Sequence, residues 1–541
     1  MPIVAKTARS DQADYVVVGA GSSGATVAAR LAQSGAHVIL LEAGGSDRSY
    51  LVRTPGMTGP MHQVGFLERR VDWGYRTTPQ AHMNDRQMPA PRGKLLGGTS
   101  SVNGMVYVRG NRANYDAWAA EGNLGWSADE VNAAYKRLED FEDGESPYRG
   151  AGGPIKITRH KSPQEATTQF IQATADTLGV KVLHDYNAAE QEGVAYLQQN
   201  ASGGLRYSSS RGYVRGLAPA TLETQPHSHV LRVVLDRGRA VGVEVRDRQG
   251  NVRTIRARDE VILSAGFIGS AQLLMLSGIG PAEHLASHGI TTIEDLPVGD
   301  NLHDHLFHPL SFHVRSVRHR ATAPYFAWGA IQNMAGLDSF IANSLFESVA
   351  FVRTSAATDV PDLQLHMLPW AYPTPKPGNP AKRVVDPRPS VSVFSTLIYP
   401  KSRGTIRLAS ADPLAAPLID YQFFAEAADI DVLAEGTDMI REIMAGPAFD
   451  GAVLDESIPG PRLRGKELKA ALRQRSISVF HGVGTCRMGV DERAVVGPDL
   501  KVRGIESLRV ADASIMPSII GGNTNAPSYM IGENAAQLIL G

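Results

Sequence analysis

The sequence predicts an α/β fold, parallel and Rossmann-like at its start and antiparallel further on, from three observations. Residues 14 to 42, DYVVVGAGSSGATVAARLAQSGAHVILLE, run from an apolar stretch through glycines and a helix-forming stretch to a second apolar stretch. A hairpin pattern follows at 229–245. Strand-like runs return at 362–370, DLQLHMLPW, and at 390–400, SVSVFSTLIYP.

Tyr15–Val18 reads as a buried strand, Ala25–Gln33 as a helix and His37–Leu41 as a second strand. Between strand and helix lies Gly19-x-Gly21-x-x-Gly24, with Ser22 and Ser23 in the variable places. The first glycine permits the sharp turn, the second lets backbone approach a pyrophosphate, and the third lets helix pack on strand. The helix N-terminus then faces the phosphates. Glu42, followed by Ala43, ends the second strand, where a carboxylate can accept hydrogen bonds from ribose hydroxyls and disfavours a 2′-phosphate. Strand, glycines, helix, strand and acid in this order predict dinucleotide binding, without separating NAD from FAD. With only a short tail before Gly19, the dinucleotide fold is expected to open the protein.

HVLRVVL at 229–235, the Arg237-Gly238 turn and AVGVEV at 240–245 form the hairpin. The later runs are consistent with an antiparallel sheet flanked by helices. At 541 residues the chain exceeds what one core usually serves, so at least two domains are expected. The 54 basic and 55 acidic residues balance, which argues against nucleic acid or an anionic membrane as partner and for a small molecule. One cysteine, Cys486, excludes an intramolecular disulfide framework and reads as a small buried hydrophobe. Residues 1–14 lack a leader pattern and no apolar run reaches 18 residues, so a cytoplasmic protein without a membrane span is expected.

Residues 93–116, GKLLGGTSSVNGMVYVRGNRANYD, are rich in small residues that let backbone lie flush against a flat or anionic group. With VILSAGFIGSAQLLMLSGIG at 261–280 and LRVADASIMPSIIGGNTNAPSYMIGENAAQLI at 508–539, this run resembles the glucose-methanol-choline oxidoreductase family over essentially the whole chain. The match in the first run covers Gly93, Gly97, Gly98, Thr99, Ser100, Asn103, Tyr107, Gly110 and Asp116. The second run departs from the family at Phe267, where a small residue is usual, and at Ala271, where Pro or Ser is usual.

The resemblance implies FAD and oxidation of an alcohol to the aldehyde. It implies that Gly97 belongs to the cofactor-binding set, that the segment Gly98 to Val106, with Thr99, Asn103, Gly104 and Met105, passes beside the flavin, that Val230 backbone meets the adenine, and that Asp512, with Ala513, serves the ribityl region. Val102 stands where some choline-oxidising members carry the histidine that bonds FAD, so non-covalent FAD is expected. His481, in SVFHGVGTCRMG, matches the active-site histidine, with Gly482 in place of the usual proline. The second active-site residue, His or Asn, lies 44 positions on, at Asn525.

Alcohol oxidation needs a base for the hydroxyl proton, and imidazole suits this near neutrality. His481 is thus the expected base, and Asn525 the expected hydrogen-bond donor to the developing alkoxide. A primary aliphatic or aryl alcohol is the expected substrate, with choline as the alternative and a non-catalytic flavin-binding protein as the reading from another class. Oxygen or a quinone- or dye-like acceptor takes the electrons. His303, His305 and His308 invite a metal reading, but no nearby cysteine or dense carboxylate set completes a site, so no metal is expected. The flavin domain is expected from 1–155, 205–310 and 465–541, and the substrate-binding cap from 156–204 and 311–464. Phe326, Trp328, Phe351 and Trp370 are candidate pocket residues.

Overall fold

The computed structural model describes residues 10–63, 70–161, 163–217, 219–317, 322–337, 339–371, 386 and 388–541. Most of the stretch read for a leader, residues 1–9, lies outside them.

The first sheet holds seven strands: β1 (Gln12–Val18), β2 (Val38–Glu42), β3 (Leu222–Pro226), β4 (His229–Asp236), β5 (Arg239–Arg246), β6 (Val252–Leu263) and β7 (Leu508–Val510). Its order is β4-β5-β6-β1-β2-β3, with β7 also on β6. The long β6 explains the mixed topology. Its polar half, Val252–Arg256, pairs antiparallel with β5, where the hairpin faces water on one side. Its apolar end, Val261–Leu263, is fully buried between β1 and β7, both parallel to it. Uninterrupted apolar runs such as Val16–Val18 and Val38–Leu41 belong to strands covered on both faces, which is why they do not alternate.

Helix α1 (Ser22–Gln33) leaves β1 through Gly19, whose φ of 98° is left-handed. Helix α2 (Gly266–Leu276) follows β6, and α3 (Asn525–Leu540) closes the chain against α1. That approach is close: a Cβ on Gly532 would lie 2.6 Å from Ser23 O.

A second, wholly antiparallel sheet orders Val453–Ile458, Leu306–Val314, Ser390–Leu397, Leu363–Leu368, Ser348–Val352 and Gly193–Tyr196, with Ile477–Ser478 also on Leu306–Val314. Helix Ala427–Met444 covers one face, where Gly436 abuts Ser395. The other face is set by register. Phe307, Thr396 and Gln364 stand in one cross-strand row, and Phe394 and His366 in the next. Among the described residues no helix is long and apolar enough to cross a membrane.

Candidate active site

A cavity of about 1200 Å3 runs from the carboxyl ends of β1 and β2 to the open face of the second sheet. Of the residues singled out in the sequence, Gly19, Gly21, Ser22, Ser23, Glu42, Ala43, Gly98, Thr99, Asn103, Gly104, Met105, Val106, Val230, His481, Asp512, Ala513 and Asn525 line it. Gly24 and Gly97 do not. A Cβ on Gly24 would lie 2.0 Å from Gly19 O, so this glycine serves helix-on-strand packing. Gly97, at φ 87°, donates its N–H to Ala20 O and shapes the turn behind the wall.

The donor set fits a dinucleotide. A Cβ on Gly21 would meet nothing within 4 Å, which leaves its backbone open to a phosphate at the N-terminus of α1. Glu42 accepts from Ala20 N and Gly44 N, at 3.1 and 2.8 Å, and burial raises its carboxyl to about 7. Asp512 accepts from Gly266 N, Ser270 Oγ and Ser514 N, which ties β7 to the start of α2. The loop through Asn103 and Met105 (φ 61°) is braced by the buried Arg206, which donates to Asn103 O, Asn103 Oδ1, Ser100 O, Val52 O and Thr58 Oγ1.

At the far end, the strand pair Leu306–Phe307 with Ile477–Ser478 brings the His481 loop against residues 303–305. Val479 N donates to His305 O, Val483 N to His303 O, and His481 N to Asp304 Oδ1 at 2.8 Å. Arg92 donates to Phe480 O. Burial holds the His481 ring well below the usual imidazole range, and His305, Arg92 and His366 nearby add to this. The ring is therefore neutral and able to accept a proton.

The structure corrects the partner of His481. Asn523 Nδ2, not Asn525, lies 3.2 Å from His481 Nε2, while Gln364 Nε2 donates to Asn523 Oδ1. Asn525 Oδ1 accepts from Ser22 Oγ at 2.7 Å, and its Nδ2 lies 3.5 Å from Asn200 Oδ1. The signal for Asn523 was present in GGNTN, two asparagines two positions apart. What decides between them is that Asn525 is the first residue of α3 and is turned towards α1.

The aromatic expectations also change. Trp328 is 58% exposed, Phe351 packs on Tyr186, Phe326 packs on Phe340 and Trp370, and Trp370 lines a separate small cavity with Glu347. Phe307, Phe346 and Phe394 line the large cavity instead, with ring centroids 4.6 Å apart for Phe307–Phe394 and 5.8 Å for Phe346–Phe394. His303 is bonded to Asn301 O and Ile519 N, while His305 meets Ile520 O and His481, so these two histidines of GDNLHDHLFHP have separate partners.

Residues 13–307 match the N-terminal family model described as GMC oxidoreductase, and residues 400–532 match its C-terminal counterpart. The chain belongs to the GMC oxidoreductase family. This GMC oxidoreductase is 38% identical over 542 residues to a protein of Sinorhizobium medicae (strain WSM419) named oxygen-dependent choline dehydrogenase, covering 98% of this chain and 96% of the other. A protein of the same name from Brucella suis biovar 1 is 36% identical over 546 residues, with the same coverage. Among solved structures it is similar to an Aspergillus oryzae RIB40 formate oxidase variant, at TM-score 0.88 and 29% identity over 98% of each chain. A fungal aryl-alcohol oxidase aligns at TM-score 0.82 and 25% identity, covering 98% of this chain and 99% of that one. As a GMC oxidoreductase, the protein is an FAD-dependent enzyme that oxidises an alcohol.

Proposed function

We propose that the enzyme oxidises an uncharged primary alcohol, aliphatic or aryl, to the aldehyde, with His481 as the base and FAD held without a covalent bond. The observation that carries this reading is the convergence of His481 Nε2 and Asn523 Nδ2, 3.2 Å apart, on the cavity. A hydroxyl between them would donate its proton to Nε2 while its oxygen accepts from the amide, which steadies the charge as the proton leaves. FAD, when bound, accepts the hydride from the alcohol carbon. Asn525 we assign to the cofactor side, through Ser22.

The three phenylalanines and Thr396 give the reactive end a neutral, largely apolar wall. A quaternary ammonium such as choline is the second reading, since its relatives carry that name and aromatic rings attract such cations. Against it, each carboxylate lining the cavity is engaged elsewhere: Glu42 and Asp512 as described, and Asp72 by Gly74 N and Arg92 N. The half-buried Arg92 also sets a positive charge near His481.

Support for non-covalent FAD comes from Val102, a hydrocarbon side chain on the cavity wall. Acid precipitation should leave a colourless protein pellet and a yellow supernatant, and a yellow pellet overturns it. The division into a flavin domain (1–155, 205–310, 465–541) and a cap (156–204, 311–464) is likewise our reading. So are oxygen or a quinone-like acceptor, and a cytoplasmic site of action, in keeping with the single cysteine. The deciding experiment is anaerobic stopped-flow flavin reduction by a panel of alcohols. In His481→Ala the rate should fall on the order of 100-fold or more, and a rate within a few-fold of wild type sinks the assignment.

A further inference from the structure

The proposed base, His481, has a second histidine behind it. His305 Nδ1 lies 3.0 Å from His481 Nδ1, with the two rings perpendicular and their centroids 5.2 Å apart. His305 Nε2 lies 3.1 Å from the carbonyl oxygen of Ile520. We propose that His305 is a positioning residue that fixes the tautomer of His481 and so presents a bare Nε2 to the alcohol; this rests on His481 being the base.

The polarity of the chain of bonds follows from its two ends. A carbonyl oxygen only accepts, so His305 Nε2 carries the hydrogen. Burial pushes His305 down to about 3, so the ring is neutral and its Nδ1 is a lone pair. Two lone pairs cannot face each other at this distance, so His481 Nδ1 carries its hydrogen and donates to His305. That leaves His481 Nε2 unprotonated. The other end agrees: Asn523 has its Oδ1 occupied by Gln364 and turns its N–H to Nε2. Reversing the polarity would oppose a nitrogen lone pair to the Ile520 carbonyl.

In the reaction, the alcohol O–H bond breaks and its proton goes to His481 Nε2, while the hydride leaves carbon for FAD as the C=O bond forms. The hydrogen stays on His481 Nδ1, bonded to His305, which can share the positive charge but cannot pass a proton to a carbonyl. A neutral imidazole here, where a carboxylate would make a stronger base, lets His481 release the proton readily. The groups facing His481 are His305 and Asp304 from the segment before strand Leu306–Val314, His366 from the second sheet and Arg92 from the loop before Gly93.

The test compares His305→Leu, which removes the acceptor, with His305→Asn, whose Oδ1 can stand where Nδ1 stood. In FAD-loaded His305→Leu, anaerobic flavin reduction should slow on the order of 100-fold with alcohol affinity little changed, and His305→Asn should recover most of the loss. Nitrogen-15 NMR of labelled histidines, assigned with His481→Ala, should show His481 Nε2 as pyridine-like in wild type and in His305→Asn. In His305→Leu that signature should be lost. A protonated Nε2 in the wild-type protein overturns the proposal, as does reduction in His305→Leu within about threefold of wild type. If His305→Leu does not hold FAD, the wild-type spectrum and His305→Asn decide. If His481→Ala itself reduces flavin at the wild-type rate, the base assignment falls, which is a different result from a silent His305.

Discussion

The ring of Phe267 occupies the space that a side chain at position 482 would need: a Cβ on Gly482 would lie 2.5 Å from Phe267 Cζ. These are two of the places where the chain departs from its family pattern, and they are complementary. Where the family has a small residue and a proline, this protein has a large ring and no side chain. The loss of proline would loosen the His481 loop by itself, but the ring, with the Arg92 guanidinium 5.4 Å over it and Thr485 Oγ1 bonded to Phe267 O, fills and braces the gap.

This pairing predicts strong coupling. Gly482→Ala should destabilise the protein by about 1–3 kcal/mol through overpacking. Phe267→Ala alone should cost about 3–5 kcal/mol through the cavity it leaves. In the double variant the new methyl has room, so the combined loss should fall short of the sum by at least about 1 kcal/mol. Thermal unfolding of the four proteins measures this, and additive losses would show that the two positions are independent.

Asn523 and Asn525 should separate in their effects. Asn523→Ala removes the donor beside His481 Nε2 and should slow anaerobic flavin reduction on the order of 100-fold with FAD retained. Asn525→Ala removes the acceptor for Ser22 Oγ and should weaken FAD retention by about fivefold while leaving the reduction rate of the loaded enzyme near wild type. Equal slowing in both variants, with FAD held by both, would contradict the division.

The ease with which each half of the site could be read from sequence follows the same geometry. Gly19, Gly21, Gly24 and Glu42 form a local pattern within one βαβ unit, where each residue's task follows from its place in the turn or strand. The reactive end is not local. Phe307, Phe394 and His366 come from three strands far apart in sequence and meet through cross-strand register. Phe346 joins them from the residues before Ser348–Val352. Phe326 and Trp328 looked equally suitable in sequence, but helix Ala323–Met334 carries them to other surroundings. Asn525 was read from its spacing after His481, and spacing along the chain does not reveal where α3 begins or that Asn523 is the asparagine beside the imidazole. His305 was visible in GDNLHDHLFHP only as one of several histidines, and its task depends on the bridge from Ile477–Ser478 to Leu306–Phe307.

Glu42 should give the apoprotein and the cofactor complex opposite pH responses. Burial, opposed by Gly44 N, Ala20 N and Lys94, raises its carboxyl from an ordinary 4.5 to about 7. Between these values Glu42 in the folded apoprotein holds a proton that the unfolded chain has released, so its contribution to stability falls as pH rises from about 4.5 to 7. Each tenfold change in proton affinity is worth about 1.4 kcal/mol, so the loss attributable to Glu42 is at most roughly 3.5 kcal/mol. Asp304 and Glu347, raised to about 6 and about 7, add slopes of the same sign, and the buried His303, His305, His308 and His366, lowered to about 3, add slopes of the opposite sign, but all of these are unchanged in Glu42→Gln. The difference between variant and wild type therefore isolates Glu42. The bound ribose offers hydroxyl donors to the ionised carboxylate, so FAD affinity in wild type should rise as pH increases through 7. Glu42→Gln should lack that falling contribution, so its apoprotein stability should rise relative to wild type between about pH 4.5 and 7 and its FAD affinity should be independent of pH, by denaturant titration and flavin fluorescence. An unchanged slope in both measurements would mean that Glu42 is ionised throughout and that its two backbone N–H bonds outweigh its burial.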